Sequence, residues 1–272
     1  MAIIVFCLGL QVDPGDFAYL FHKPSLLARS LLSMIIVMPI LAVALVLAFK
    51  LTPIVAILLL ALSLSPVPPV LPGKTLKAGG SSAYVFSLLA TASVLAIATV
   101  PIGVEVFERV FQVPLHISLS VVTKVVGISV LAPLAAGLAV GRLAAKVAGR
   151  IARPLSRLGA VMFLAGFLVL LISALPVAVS LLGNGTLAAV AGFSVAGYVV
   201  GHLLGGPEPE NRTVLANFTA SRHPGVAIAI IGANFPGQKQ MIGAAVLYLL
   251  VNAVISFGYQ AWRRRRVPST VT

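Results

Sequence analysis

Residues 212–231 read RTVLANFTASRHPGVAIAII, an apolar stretch interrupted in its middle by Ser221, Arg222, His223, Pro224 and Gly225. A cation and a helix breaker inside a hydrophobic run are costly at membrane depth, so such an interruption marks a site or a hinge. A second interruption, SPVPPVLPGK at 65–74, lies in the first half of the chain. Pro66, Pro68, Pro69 and Pro72 remove four amide donors there and forbid a regular helix. Lipid cannot satisfy the carbonyls this frees, so the stretch must be buried in protein or line a wet cavity.

The surroundings of these two breaks settle the class. Of 272 residues, 60% are hydrophobic and 9% charged, with a mean hydropathy of +1.10. A soluble domain carries about 25% charged residues, and apolar runs near the length of a membrane span recur throughout. The composition predicts an all-α integral membrane protein, 1–272, built as a single transmembrane domain. The net charge of +13 would point to nucleic acid in a soluble chain. Here the basic residues gather in short loops and at the C-terminus, with no stacking aromatics between them, which fits an anionic membrane face and excludes a nucleic-acid partner. The single Cys7 says nothing about compartment.

Nine segments are predicted. Residues 1–12 are apolar but cover only about 18 Å of a roughly 30 Å hydrocarbon core, so they read as the second half of a helix. The others are 24–49 with Pro39 as a kink, 52 into the first break, 83–101, 115–143, 155–182, 186–204, the opening stretch, and 241–262 ending in Arg263–Arg266. Between segments five and six a basic loop holds Arg142, Lys146, Arg150, Arg153 and Arg157. Alternating the loops from a cytoplasmic C-terminus leaves Lys50, Arg109 and Lys239 as the outside charges, and nearly all other loop cations inside. The expectation is therefore a multi-pass protein of the cell membrane with a cytoplasmic tail at 263–272. Two broken segments in corresponding halves predict an inverted-repeat secondary transporter fold with crossing broken helices, about nine segments of an expected ten. The shortfall is expected to be a missing first helix and a half.

In this order the segments carry a resemblance. FCLGLQVDPGDF (6–17), SLLSMIIVMPILA (30–42), VLAIATVP (94–101), ENRTVLANFTASRHPGVAIAI (210–230) and LVNAVISFGYQAWRRRR (250–266) resemble, in order and spacing, stretches of the bile acid/sodium symporter family. That resemblance implies a core domain, with first-repeat helices at 24–103 and second-repeat helices at 183–262, moving against a panel formed by 115–182 with 1–12. It also implies a substrate class of organic anions and sodium as coupling ion. The family's sodium ligands, however, are replaced here. Its Ser-Asn pair in the first break matches Leu71 and Pro72. Its hydroxyls on the next helix match Leu89, Ala92 and Ser93. Its Glu and following Gln-Asn on the second broken helix match Asn217, Ser221 and Arg222. Sodium coupling through those positions is expected to be lost, leaving no cofactor.

The candidate site residues are Asn217, Thr219, Ser221, Arg222, His223, Pro66, Pro72, Lys74, Ser93 and Lys124. Arg222 has three open readings: a partner for an anionic substrate, a fixed stand-in for sodium, or a topology charge that snorkels to the surface. His223 is either a proton relay or a hydrogen-bonded filler. Asn217 and Ser221 share a helix face, for a substrate or for interhelical bonding. Lys74 reads as a cytoplasmic-side charge or a ligand. Lys124, counted nine residues from Leu115, lies about 14 Å into segment five and calls for a cavity or a partner. Asn252 and Ser256 read as packing. No metal-ligand spacing, phosphate loop or nucleophile motif occurs, so no enzymatic activity is expected. The function that follows is alternating-access transport of a small organic anion. The alternative is a non-transporting homologue acting as membrane sensor or assembly subunit.

Overall fold

The computed structural model describes residues 1–112, 116–235 and 240–266, and it is helical throughout, with no strand among them. Eleven helices carry the fold: α1 (Ala2–Gly9), α2 (Pro24–Ala48), α3 (Pro53–Leu64), α4 (Leu71–Lys77), α5 (Ser82–Phe111), α6 (Leu119–Leu143), α7 (Ala145–Ser180), α8 (Thr186–Leu204), α9 (Pro209–Ala220), α10 (Pro224–Asn234) and α11 (Gln240–Arg266). Six of them are long and apolar enough to cross a membrane: α2, α5, α6, α7, α8 and α11. The pairs α3/α4 and α9/α10 are the two broken segments.

Proline sets several of these boundaries. Pro24, Pro53, Pro209 and Pro224 each sit in the first turn of a helix, where the missing N–H is an orphan in any case. Helix α3 ends at Ser65, which turns extended because Pro66, Pro68 and Pro69 have no N–H to continue the ladder. Within α2, residues Leu32–Val37 form a π-helical turn just ahead of Met38 and Pro39, a feature hydropathy cannot announce. Helix α5 runs ten residues past its predicted end at Pro101 and stops where Gln112 turns left-handed at φ 53°.

The basic stretch between segments five and six is a correction. It is not a loop: α6 and α7 meet at Ala144 alone, and Lys146 to Arg157 ride on the first turns of α7 with all their charges exposed. Ala-rich sequence favours helix regardless of where the apolar run begins, and at about 1.5 Å per residue a helix this long projects beyond a roughly 30 Å core.

Polar contacts define the two ends of the bundle. At one end Ser82 Oγ donates to Asp16 and Asn211 Nδ2 to the Tyr19 hydroxyl, and Arg263 Nη2 donates to the Pro209 carbonyl at 2.7 Å. Lys23, Arg29 and Arg212 belong to this basic end. At the opposite end the Asn234 amide donates to the His116 carbonyl at 2.7 Å, and Phe49 packs on Gly185. Helix α1 lies against α6 and α7, with Gly9 and Gly137 in backbone contact. Helices α2–α5 and α8–α11 each run as a spanning helix, a broken helix and a spanning helix.

Candidate functional site at the helix crossing

The chain breaks meet in the interior. His223 donates its backbone N–H to the Pro66 carbonyl at 2.8 Å, joining the second break to the first. Helix α9 stops at Ala220 and α10 restarts at Pro224, so Ser221, Arg222 and His223 form a non-helical link between two half-helices, with Ser221 and His223 extended. Each such end leaves unpaired backbone groups that need partners.

Tyr248 of α11 supplies one set. Its hydroxyl accepts from the Arg222 N–H at 2.8 Å and donates to the Ala220 carbonyl at 3.1 Å. His223 supplies another, its Nδ1 accepting from the Gly225 N–H at the start of α10. Helix α8 brings the break into place: Gly197, Gly201 and Gly205 recur every four residues along it and touch α9 backbone. A Cβ on Gly197 would lie 2.6 Å from the Ala220 Cα.

The Arg222 side chain enters this crossing and is 2% exposed. Its Nη2 donates to the Met34 carbonyl at 2.9 Å and its Nη1 to the Ser65 carbonyl at 3.3 Å. Both acceptors exist because proline removed their helical donors. In the π-helical turn the Met38 N–H bonds to Ser33, so the corresponding donor to Met34 would be residue 39, and Pro39 has none. Ser65 follows the last turn of α3, and the helical donor to its carbonyl would be residue 69, which is also proline. Nε has no acceptor, and among the described residues no carboxylate pairs with the guanidinium. This burial removes the reading of Arg222 as a snorkelling surface charge.

Two cavities reach Arg222. One, of about 410 Å³, lies between the crossing and α7: Phe163 and Phe167 form an apolar wall, and Lys74, Ser221, Asn252 and Ser256 bring polar atoms. The other, of about 240 Å³, lies between α2 and α5 and is apolar except for Ser63, Ser65, Thr99 and the guanidinium.

The predicted residues divide accordingly. Arg222, His223, Ser221 and Pro66 come together at the crossing, and Lys74 lines the larger cavity from an exposed position on α4. Thr219 is buried and its hydroxyl pairs with Ser33 of the π-helical turn at 3.0 Å. Asn217 bonds back to the Thr213 carbonyl, leaving Oδ1 unpaired. Pro72 is buried in the first turn of α4 and Ser93 within α5, its hydroxyl without a partner, and neither lines a cavity. Lys124 stands apart, exposed on α6 and lining neither cavity. Because α6 starts at Leu119, Lys124 is only five residues in, about 7.5 Å, within reach of the interface for a long side chain.

Sequence reasoning missed Met34 and Tyr248, read Pro39 only as a kink, and read Asn252 as packing. Asn252 Nδ2 donates to Ser221 Oγ at 3.2 Å, while its Oδ1, at the larger cavity, is unpaired. A polar residue within an apolar helix was the available signal.

An all-helical multi-pass bundle with two broken helices meeting around a buried polar centre is the architecture of a membrane transporter. The profile of the Sodium Bile acid symporter family matches residues 1–181, and the chain belongs to that family. Its membership makes it a transporter of that kind. The matched stretch includes the first break and ends before the second, so Arg222 lies outside it. No curated protein matches the chain.

Proposed function

We propose that this protein carries a small organic anion across the cell membrane by alternating access, without sodium at the family's usual positions. The observation behind this is the Arg222 guanidinium, which donates to carbonyls of α2 and α3 at the crossing. Those carbonyls are acceptors that a bound cation would otherwise satisfy, and a guanidinium does so with a charge that never leaves.

The cavity of about 410 Å³ falls in the range of small-molecule sites, roughly 300–1,000 Å³. Its aromatic wall suits an apolar body, and Lys74 with the positive potential of Arg222 suits an acidic group. Phe163 and Phe167 belong to the proposed panel and Lys74, Ser221 and Asn252 to the proposed core, so movement of one against the other opens and closes the site. By the positive-inside rule the basic end, the side on which Lys74 lines this cavity, is read as facing the cytoplasm, with the C-terminus on the same side.

Uptake of labelled carboxylates and sulfonates into proteoliposomes, with and without a sodium gradient, tests this reading. Saturable uptake indifferent to sodium is expected. Steep sodium dependence would overturn the coupling proposal, and flat traces for every anion would favour a non-transporting role.

A further inference from the structure

The two cavities lie in opposite halves of the bundle. The larger is lined by Lys74 on α4 and Ser256 on α11, both on the basic-end side of the crossing. The smaller is lined by Thr99, Ile102 and Val106 of α5, which runs from the crossing towards the opposite end. Ile102 and Val106 are 60% and 49% exposed, so this cavity lies at the outer face of the spanning helix α5. Arg222 is the residue that lines both. Its acceptors Met34 and Ser65 border the smaller cavity alone, and Ser221 and Pro224 border the larger alone. The backbone of the break therefore faces one cavity, and the guanidinium reaches across to the floor of the other.

We infer that Arg222 is the permeation barrier of the core: its side chain plugs an otherwise continuous path between the two cavities and repels cations and protons from it. This rests on the reading of Arg222 as the fixed cation of the crossing, but not on turnover of any substrate. The barrier is steric, because the side chain lies where the two cavities meet, and electrostatic. The charge has no carboxylate to neutralise it among the described residues, and a fixed positive charge in a narrow pore excludes protons and cations.

The test uses proteoliposomes without substrate, with proton and sodium leak read by entrapped indicators and a large entrapped dye as control for intact vesicles. Arg222→Ala is expected to raise proton and sodium leak by about ten-fold or more, the equivalent of about 1.4 kcal/mol of lost barrier. Arg222→Lys, which keeps the charge, is expected to stay tight. Adding Thr99→Phe to Arg222→Ala refills the smaller cavity and is expected to return the leak towards the wild-type level. Ile102→Trp, at the edge of the same cavity, serves as a second refill made from the outer face of α5. An Arg222→Ala protein that is folded by size exclusion and no leakier than wild type overturns the proposal, as does a leak that neither refill reduces. Anion uptake by the wild type is measured separately. A wild type that carries nothing while Arg222→Ala leaks defeats the carrier reading alone, and active uptake with a tight Arg222→Ala defeats the barrier alone.

Discussion

Arg222 Nη2 donates at 2.9 Å to the carbonyl of Met34, the acceptor that Pro39 leaves without a π-helical donor. A proline on the second helix and an arginine nearly two hundred residues later are thus two parts of one arrangement. The proline creates a buried acceptor at the crossing, and the arginine occupies it.

That coupling is measurable. Arg222→Ala leaves the Met34 and Ser65 carbonyls buried without donors, at about 1–3 kcal/mol each. The thermal midpoint in detergent is expected to fall by several degrees, with partial recovery on adding millimolar methylguanidinium. Pro39→Ala restores an N–H where Met34 needs one, so it is expected to harm the wild type more than it harms Arg222→Ala. A double-mutant cycle with no coupling between the two positions refutes the arrangement.

Tyr248→Phe isolates the cap on the second break. The hydroxyl serves the Arg222 N–H and the Ala220 carbonyl at once, and its loss leaves two buried backbone groups unpaired. A destabilisation of about 1–3 kcal/mol follows, with the aromatic packing against Phe193 retained. Thermal unfolding of the variant checks it: a midpoint equal to wild type means that water or relaxation replaces the hydroxyl.

Much of this centre was legible in the chain because charge and proline inside apolar sequence are unambiguous. Arg222, His223, Ser221 and the proline-rich first break all announced themselves that way, and the break residues do meet. The π-helical turn did not, because one extra residue in a helical turn leaves no mark on composition, and without it Met34 has no reason to be an acceptor. Lys124 misled because its depth was counted from Leu115, whereas the described helix begins at Leu119. Asn252 was visible but uninterpretable, since a polar residue on the last helix gains meaning only from the Ser221 that it faces. The basic stretch after α6 was misread for a related reason: charge reports the membrane boundary, not the end of a helix.

The glycine row of α8 gives a packing prediction. Gly197 faces Ala220, the last residue of α9 before the break, and Gly201 faces the backbone of Leu215 and Ala216. Gly197→Val forces α8 and α9 apart where the crossing is anchored, at about 1–3 kcal/mol for an overpacked contact. The displacement moves Ala220 away from the Tyr248 hydroxyl, so anion uptake is expected to fall more than protein yield. Gly166→Ala on α7, where an added Cβ meets nothing within 4 Å, is the control expected to leave the thermal midpoint unchanged.

Glu208 gives the pH dependence. It stands in the loop before α9, and its own backbone N–H, the Asn211 amide at 3.2 Å, and the charges of Lys23 and Arg29 hold its carboxyl below the usual range. A carboxylate depressed in the folded state stabilises it fully above the unfolded value, about 4.3, and that contribution disappears as pH falls through the folded value. The thermal midpoint of the wild type is therefore expected to drop from about pH 5 downwards more steeply than that of Glu208→Gln, with the two curves converging in acid. The difference between the curves isolates this group from the other five acidic residues. Because the side chain is exposed, added salt is expected to shrink the gap at neutral pH. Parallel curves across the whole range would show that the Lys23, Arg29 and Asn211 surround exerts no hold on the fold of this end.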